Sequence, residues 1–301
     1  MLHPLAYAAA AHRYWPRWLL VGVLAMTATS ATAGGGPADL KDDGSCCNLI
    51  ELRQYTLHPG QRDTLIELFD REFVEPQEAL GIAVIGQFRD LDRPDRFVWI
   101  RGFENIDARG QALAAFYDGP VWHAHREAAN ATMIDSDNVL LLEPAAPGRG
   151  FPGLPARTGG TSTASIDSGL VVATLYYTKP DSLEAFSALF DQSIRNRFES
   201  TGARTIAEYV TSTQPNSFPR LPIRMGEDIF VWLARFGSTE GYDAYRARLA
   251  ADQNWARQIW PAIRGQLLRE PEVLRLAPTN RSRLGGWAVQ DLERRDGSAG
   301  S

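Results

Sequence analysis

The stretch Arg96-Phe97-Val98-Trp99-Ile100-Arg101-Gly102-Phe103 returns later in the chain as Asp228-Ile229-Phe230-Val231-Trp232-Leu233-Ala234-Arg235-Phe236. Both copies are rich in β-branched and aromatic residues, which favour β-strands. The match extends outward, since Tyr55 and Tyr176 correspond at an offset of 121 and Trp99 and Trp232 at an offset of 133. One insertion of 12 residues explains the change of offset, and it falls at residues 214–224, which hold three prolines. The chain therefore contains two copies of one unit.

Both copies have the same predicted order of elements, β-α-β-β-α-β. In the first copy, the patterns predict strands at 49–57, 81–90, 96–104 and 138–143, and helices at 61–73 and 107–118, the second continuing past Gly119-Pro120 to about residue 132. In the second copy, they predict strands at 170–178, 205–213, 228–236 and 272–276, and helices from Asp181 and from residue 239 to about 266. Glu184, three residues after Asp181, predicts a capping box.

This order predicts an α+β protein made of two ferredoxin-like repeats. Each repeat would have a four-stranded antiparallel sheet with two helices on one face, which leaves the other face bare. Both faces of the strand that ends at Phe103 are largely apolar. The matching sheet of the other repeat is the simplest cover, so we expect the two sheets to close an eight-stranded α/β barrel within one chain, as a pseudo-dimer.

The remaining composition predicts the segments outside the repeats. Residues 1–33 read as a signal peptide, with Arg13, Arg17, an apolar run and an Ala-Thr-Ala end, and are followed by a flexible arm at 34–47. The two domains are expected at 48–144 and 169–278, joined by a Pro/Gly/Ser/Thr linker at 145–168 and followed by a tail at 279–301. We therefore expect an exported protein, periplasmic or secreted, and a cytoplasmic one if the leader is not genuine.

Removal of residues 1–33 takes away two positive charges and changes the formal charge from -5 to -7. A negatively charged chain is a poor partner for nucleic acid. No stretch of the remaining chain is long and apolar enough to predict a membrane span. A homo-oligomer stays open, because a barrel closed within one chain neither needs nor forbids a partner.

The first copy contains a set of short motifs: Glu51-Leu52-Arg53-Gln54-Tyr55-Thr56-Leu57, Pro59-Gly60, Gly86-Gln87-Phe88, Phe97-Val98-Trp99, and Phe116-Tyr117 with Trp122. With these motifs the first copy resembles the NIPSNAP family, and the resemblance is weaker over 169–278. It implies the dimeric α/β-barrel superfamily, which includes cofactor-independent monooxygenases and haem proteins. It implies no reaction, because the NIPSNAP family has no general catalytic assignment.

Strand alternation predicts a cluster of polar and aromatic side chains on the barrel side of the first repeat's sheet. The candidate ligand-binding residues are Glu51, Arg53, Tyr55, Gln87, Arg89, Trp99 and Arg101. A paired Glu-Arg network that stabilises the barrel is one interpretation, and a pocket for a small anionic or aromatic ligand is the other. The second copy has Val172, Thr174 and Ala234 where the first has Glu51, Arg53 and Arg101, so we place the site in the first.

No cofactor or metal site is predicted. His123 and His125 lie two residues apart on a helix and point to different faces, and adjacent Cys46 and Cys47 are too close for an unstrained disulfide. There is no GxSxG, CxxC or HExxH motif. Three functions therefore stay open: a NIPSNAP-like protein that binds a small molecule, a cofactor-independent monooxygenase or isomerase with an aromatic substrate, and a protein-interaction module.

Overall fold

The computed structural model describes residues 46–154 and 169–285. The predicted signal peptide and most of the arm, the linker and the tail lie outside the described residues. The first repeat consists of β1 (Leu49–Leu57), α1 (Arg62–Glu72), α2 (Val74–Glu78), β2 (Ala83–Asp90), β3 (Arg96–Phe103), α3 (Ile106–Tyr117), α4 (Pro120–Asn130) and β4 (Met133–Pro144).

The second repeat has the same order with more irregular helices. It consists of β5 (Leu170–Tyr177), α5 (Leu183–Leu189), a π-helical turn (Phe190–Ile194), α6 (Arg195–Thr201), β6 (Arg204–Thr211), β7 (Ile229–Phe236), α7 (Thr239–Ala251), a second π-helical turn (Trp255–Ile259), α8 (Trp260–Gln266) and β8 (Glu272–Pro278). The two repeats thus have matching β-α-β-β-α-β frameworks.

The eight strands form one closed barrel in the order β1-β3-β2-β8-β5-β7-β6-β4, in which β4 returns to β1. All eight contacts between neighbouring strands are antiparallel. The repeats meet at two seams, where β2 pairs with β8 and β4 pairs with β6. Closure leaves neither sheet with an unpaired edge, which confirms the predicted intrachain barrel.

The buried side chains form three clusters that correspond to three layers. The barrel interior is mainly aliphatic and draws on both repeats, with Ile50, Leu52 and Val98 of the first packed with Val231 and Leu233 of the second. Four aromatic residues belong to the same cluster: Phe88, Phe151, Tyr177 and Tyr209. The other two clusters lie between each sheet and its own helices, and both are rich in aromatic rings. The aromatic layers are therefore outside the barrel, one in each repeat.

The predicted facing of the first sheet is wrong. Tyr55 and Trp99, predicted on the barrel side, pack with Phe103 against α1 and α3, whereas Ile50 and Leu52 fill the barrel. Alternation determines which residues share a face, but it cannot tell the two faces apart when both are buried. The space between the two sheets holds mainly aliphatic side chains, and the layer below the helices holds most of the rings and the buried arginines.

The structure also differs from the prediction at three local features. The capping box is wrong, because α5 begins after Asp181, which has a φ of 61°, and its N-cap residue Ser182 makes no capping hydrogen bond with its side chain. The short helix α2 was not predicted. Strand β4 begins five residues early, at Met133, since pairing with the end of β1 holds a polar segment that has little strand preference of its own.

Candidate functional site

In the first repeat, a single carboxylate between the sheet and the helices contacts three arginines. Glu51 on β1 accepts hydrogen bonds from Arg53 Nη1 at 2.5 Å and Arg101 Nε at 2.8 Å, both through Oε2, and from Arg109 Nε at 2.6 Å through Oε1. All four side chains are at most 1% exposed. We call these residues, Glu51, Arg53, Arg101 and Arg109, the buried charge cluster.

Strand register explains why three of these residues meet. Glu51 lies directly opposite Arg101 in the β1–β3 pair, and Arg53, two residues along β1, projects on the same face. Arg109 comes down from α3, where Arg109, Leu113 and Phe116 form the buried side at helical spacing. The cluster is thus built from two neighbouring strands and the helix that covers them.

The buried charge cluster carries two more positive charges than negative ones. The other contacts of the three guanidinium groups are neutral: Tyr55 for Arg53, Gln77 for Arg101, and Asn216 and Ser217 for Arg109. Burial raises the pKa of Glu51, but the three arginines outweigh burial and hold that pKa well below its usual range. Glu51 is therefore ionised at neutral pH, and the excess positive charge persists beside it.

An aromatic pocket adjoins the buried charge cluster between the sheet and the helices. Its cavity volume is about 30 Å³, which is room for one or two water molecules, so a ring-sized ligand would bind only if side chains of the pocket wall move apart. Its walls include the rings of Tyr55, Phe69, Phe73, Trp99, Phe116, Tyr117 and Trp122. Tyr55, Trp99 and Gln77 belong both to the pocket wall and to the surroundings of the arginines.

Two polar groups on the pocket wall are suited to hold an oxygen atom of a ligand. The Tyr55 hydroxyl accepts a hydrogen bond from Arg53 Nε at 2.9 Å, so its own proton is available for donation. Burial raises the pKa of Tyr55 against the lowering effect of Arg53, which keeps this hydroxyl protonated at neutral pH. Trp99 Nε1 is buried and donates to no atom of the described residues, and Arg101 lies 5.0 Å from the Trp99 ring centre.

The second repeat has no equivalent of this site. Trp232, the counterpart of Trp99, donates its indole N–H to Thr205 Oγ1 at 3.2 Å and packs 4.6 Å from the ring of Phe198. Its buried pair, Arg195 and Glu208, is balanced in charge and bidentate. Phe190, Phe198 and Trp232 pack against one another below the helices of the second repeat, so the two repeats share a fold and differ in these contacts.

The structure brings most of the predicted site residues together, although on the opposite face of the sheet. Glu51, Arg53 and Arg101 are in direct contact, and Tyr55 and Trp99 adjoin them. Gln87 is buried on β2 opposite Trp99. Arg89 lies apart and pairs with Asp63 of α1, at a position where its side chain is 35% exposed.

Sequence reasoning missed Arg109 and Gln77. Arg109 left a readable signal, because it occupies a position on α3 that apolar spacing assigns to the buried side together with Leu113 and Phe116. Gln77 left none, since it lies on the short helix α2, and its Nε2 donates to the carbonyl of Phe73 at 2.9 Å.

His125, Cys46 and Cys47 do not line the pocket. His125 is half-buried and 3.3 Å from Glu72, and the sulfur atoms of Cys46 and Cys47 are 2.6 Å apart beside β3. Within residues 46–154 and 169–285, no group of three or more His, Cys, Asp or Glu side chains is placed to hold a metal ion. The same part of the chain contains no helix that is long and apolar enough to cross a membrane.

The fold defines a class, that of α/β barrels made of two ferredoxin-like units, here with a pocket in one unit. The NIPSNAP family model matches residues 50–147, so the first repeat is a NIPSNAP domain. No curated protein matches the sequence.

Several solved structures are similar to the chain. An anthrone oxidase-like protein is 15% identical with a TM-score of 0.50, covering 77% of this chain and 91% of its own. A provisionally assigned monooxygenase from Lactobacillus acidophilus NCFM is 15% identical with a TM-score of 0.47, over 76% and 93%. A NIPSNAP-like domain protein from Burkholderia xenovorans is 22% identical with a TM-score of 0.29, over 31% and 81%. At these identities the first of the three supports the fold alone.

Proposed function

We propose that the first repeat binds a small aromatic anion in the pocket between its sheet and helices. The observation that carries the proposal is the excess of two buried positive charges next to an aromatic cavity. Buried charge without a counter-charge is unfavourable, and an anion bound nearby would relieve this cost. The aromatic walls would cover the ring of the ligand, and the Tyr55 hydroxyl and the Trp99 indole would donate to its charged oxygen atoms.

The test is calorimetric titration of the full chain with 2-naphthoate, together with native mass spectrometry to detect acids that copurify with the protein. Tyr55→Phe removes one donor and keeps the ring, so we expect binding to weaken about tenfold, or about 1.4 kcal/mol. Tyr176→Phe, the same change at the matching position of β5, is the control and should bind as the wild type does. Equal affinities in the two variants would exclude the assigned orientation, and no binding by the wild type would refute the function.

A cofactor-independent oxygenase is a second candidate, and one observation favours it. A hydroxyl that accepts from a buried guanidinium is suited to stabilise an oxyanion that develops on an aromatic substrate. Oxygen uptake in the presence of anthrone that disappears in Tyr55→Phe would support catalysis. Binding of 2-naphthoate without any oxygen uptake in the presence of anthrone would exclude the oxygenase and would support binding as the only function of the site.

We also propose export of the mature protein, on the basis of the composition of residues 1–33. Mass spectrometry of the chain recovered from its native cells should find an N-terminus near residue 34. A mature chain that begins at Met1 would exclude export through this leader.

A further inference from the structure

The segment that interrupts the repeat in sequence lies against the pocket-bearing repeat in space. Residues 214–224 lie within the connection from β6 to β7 of the second repeat, and we call them the strap. The backbone N–H of Ser212, just before the strap, donates to Leu141 of β4 at 2.9 Å, and that of Arg224, at its end, donates to Val139 of β4 at 2.8 Å. The equivalent connection of the first repeat, between β2 and β3, has only five residues and forms no such arm.

The strap touches both parts of the proposed site through α3. Asn216 Oδ1 and Ser217 Oγ accept hydrogen bonds from Arg109 Nη1, at 3.0 and 3.1 Å. Phe218 is only 7% exposed, and its ring stacks on Tyr117, a pocket-wall residue, with centres 5.7 Å apart and planes at 27°. The second repeat thus supplies a neighbour to the charge cluster and a support for the pocket wall.

Local chemistry makes the strap stiff. Pro215, Pro219 and Pro222 restrict its backbone. Asn216 ties the turn together, because its Oδ1 accepts from the Phe218 N–H at 3.0 Å and its Nδ2 donates to the Leu221 carbonyl at 2.8 Å. A segment constrained in this way can hold the Phe218 ring in a single position.

We propose that the strap completes the ligand site of the first repeat and that Phe218 limits the size of the ligand by holding the Tyr117 ring in the pocket wall. This inference rests on the proposed binding of aromatic anions. Without the Phe218 ring, the Tyr117 side chain gains space to turn outward, and the pocket lengthens toward the strap. Phe218 is a positioning residue, since it acts through Tyr117 and does not line the pocket.

The test compares three carboxylates of increasing length, benzoate, 2-naphthoate and 2-anthroate, by calorimetry on the full chain. We expect the wild type to prefer the smaller acids and Phe218→Ala to shift the ratio of the 2-anthroate and benzoate affinities by about tenfold toward the larger acid. Phe218→Tyr keeps the stacked ring and should restore the wild-type ratio. Arg264→Gln is the control, since it removes an exposed ion pair with Glu270 in the second repeat and touches neither the strap nor the pocket wall.

The outcomes separate this inference from the proposed function. A folded Phe218→Ala protein that binds with the wild-type size preference overturns the role of the strap and leaves the binding function standing. No binding of any of the three acids by the wild type overturns both. If Phe218→Ala does not fold, Phe218→Leu keeps an apolar side chain and replaces it in the same comparison, with the same ratio deciding. A change in thermal stability alone does not alter that ratio.

Discussion

At the scale of single residues, Glu51 is the carboxylate that all three arginines of the buried charge cluster contact. Each of its oxygen atoms accepts at least one charge-assisted hydrogen bond. In the second repeat, Glu208 serves a single arginine, and Arg195 has a second acid, Asp191, at 2.6 Å. The same fold therefore holds one arginine with two acids in the second repeat and three arginines with one acid in the first.

Replacement of Glu51 is expected to destabilise the protein more than replacement of Glu208. Glu51→Gln leaves three buried guanidinium groups without a counter-charge, so we expect a loss of about 3–5 kcal/mol in the free energy of unfolding. Glu208→Gln is the matched control and should cost about 2 kcal/mol, because Arg195 keeps Asp191. Urea denaturation at pH 7 measures both.

The stability difference between the wild type and Glu51→Gln should depend on pH in a known direction. The pKa of Glu51 is lowered by folding from an ordinary value of 4.5, so its contribution is complete above that pH and is lost as the pH falls toward the folded pKa. The wild-type advantage over Glu51→Gln should shrink steadily below about pH 4.5. A constant difference from pH 7 to pH 3, or equal losses in the two glutamine variants, would contradict the assigned role of Glu51.

The sequence was sufficient to predict the strand residues of the buried charge cluster but not the helix residues that join them. Glu51, Arg53 and Arg101 are charged residues within strands, where alternation requires them to share one face. Arg109 and Gln77 come from helices, and their approach to Glu51 depends on how α2 and α3 pack on the sheet. The excess charge becomes visible only when the helix residues are included.

At the scale of elements, α3 is the contact between the strap and the site. The strap lies close to the backbone of α3 at Gly110, since a Cβ atom there would lie 3.2 Å from both the backbone oxygen and Cβ of Ser217. A glycine in a helix ordinarily weakens it, so its presence in the middle of α3 is explained by the space that the strap needs.

Replacement of Gly110 by alanine should therefore not raise the free energy of unfolding as it does at other helical glycines. Glycine to alanine within a helix is worth roughly 0.5–1 kcal/mol, but Gly110→Ala would push the strap outward, and we expect no gain or a loss of stability. Gly265→Ala in α8 meets no atom within 4 Å and is the control that should show the gain. Equal stabilisation of the two variants in urea denaturation would show that the strap does not press on α3.

The elements also show where prediction from sequence stops. Period and turn residues placed the eight strands, because those signals are local. They did not distinguish the faces of β1 and β3, because both are buried and apolar residues occur on each. The aromatic residues of α1, Phe69 and Phe73, indicate in retrospect which face lies under the helices.

At the scale of the whole molecule, duplication allows one repeat to support the other. Two sheets close the barrel, and its mainly aliphatic interior is filled by both repeats. The second repeat keeps a packed aromatic layer and extends the strap, while the first keeps a pocket. Fusion of the two units in one chain permits this asymmetry, which two identical subunits could not encode.

The position of a bound ligand tests this account most directly. A crystal structure of the full chain with 2-naphthoate should show the rings between Trp99 and Trp122 and the carboxylate beside the Tyr55 hydroxyl, on the side of the buried charge cluster. Ligand within the barrel, or in the helix layer of the second repeat, would contradict the account. So would a carboxylate that points away from Tyr55 and toward solvent.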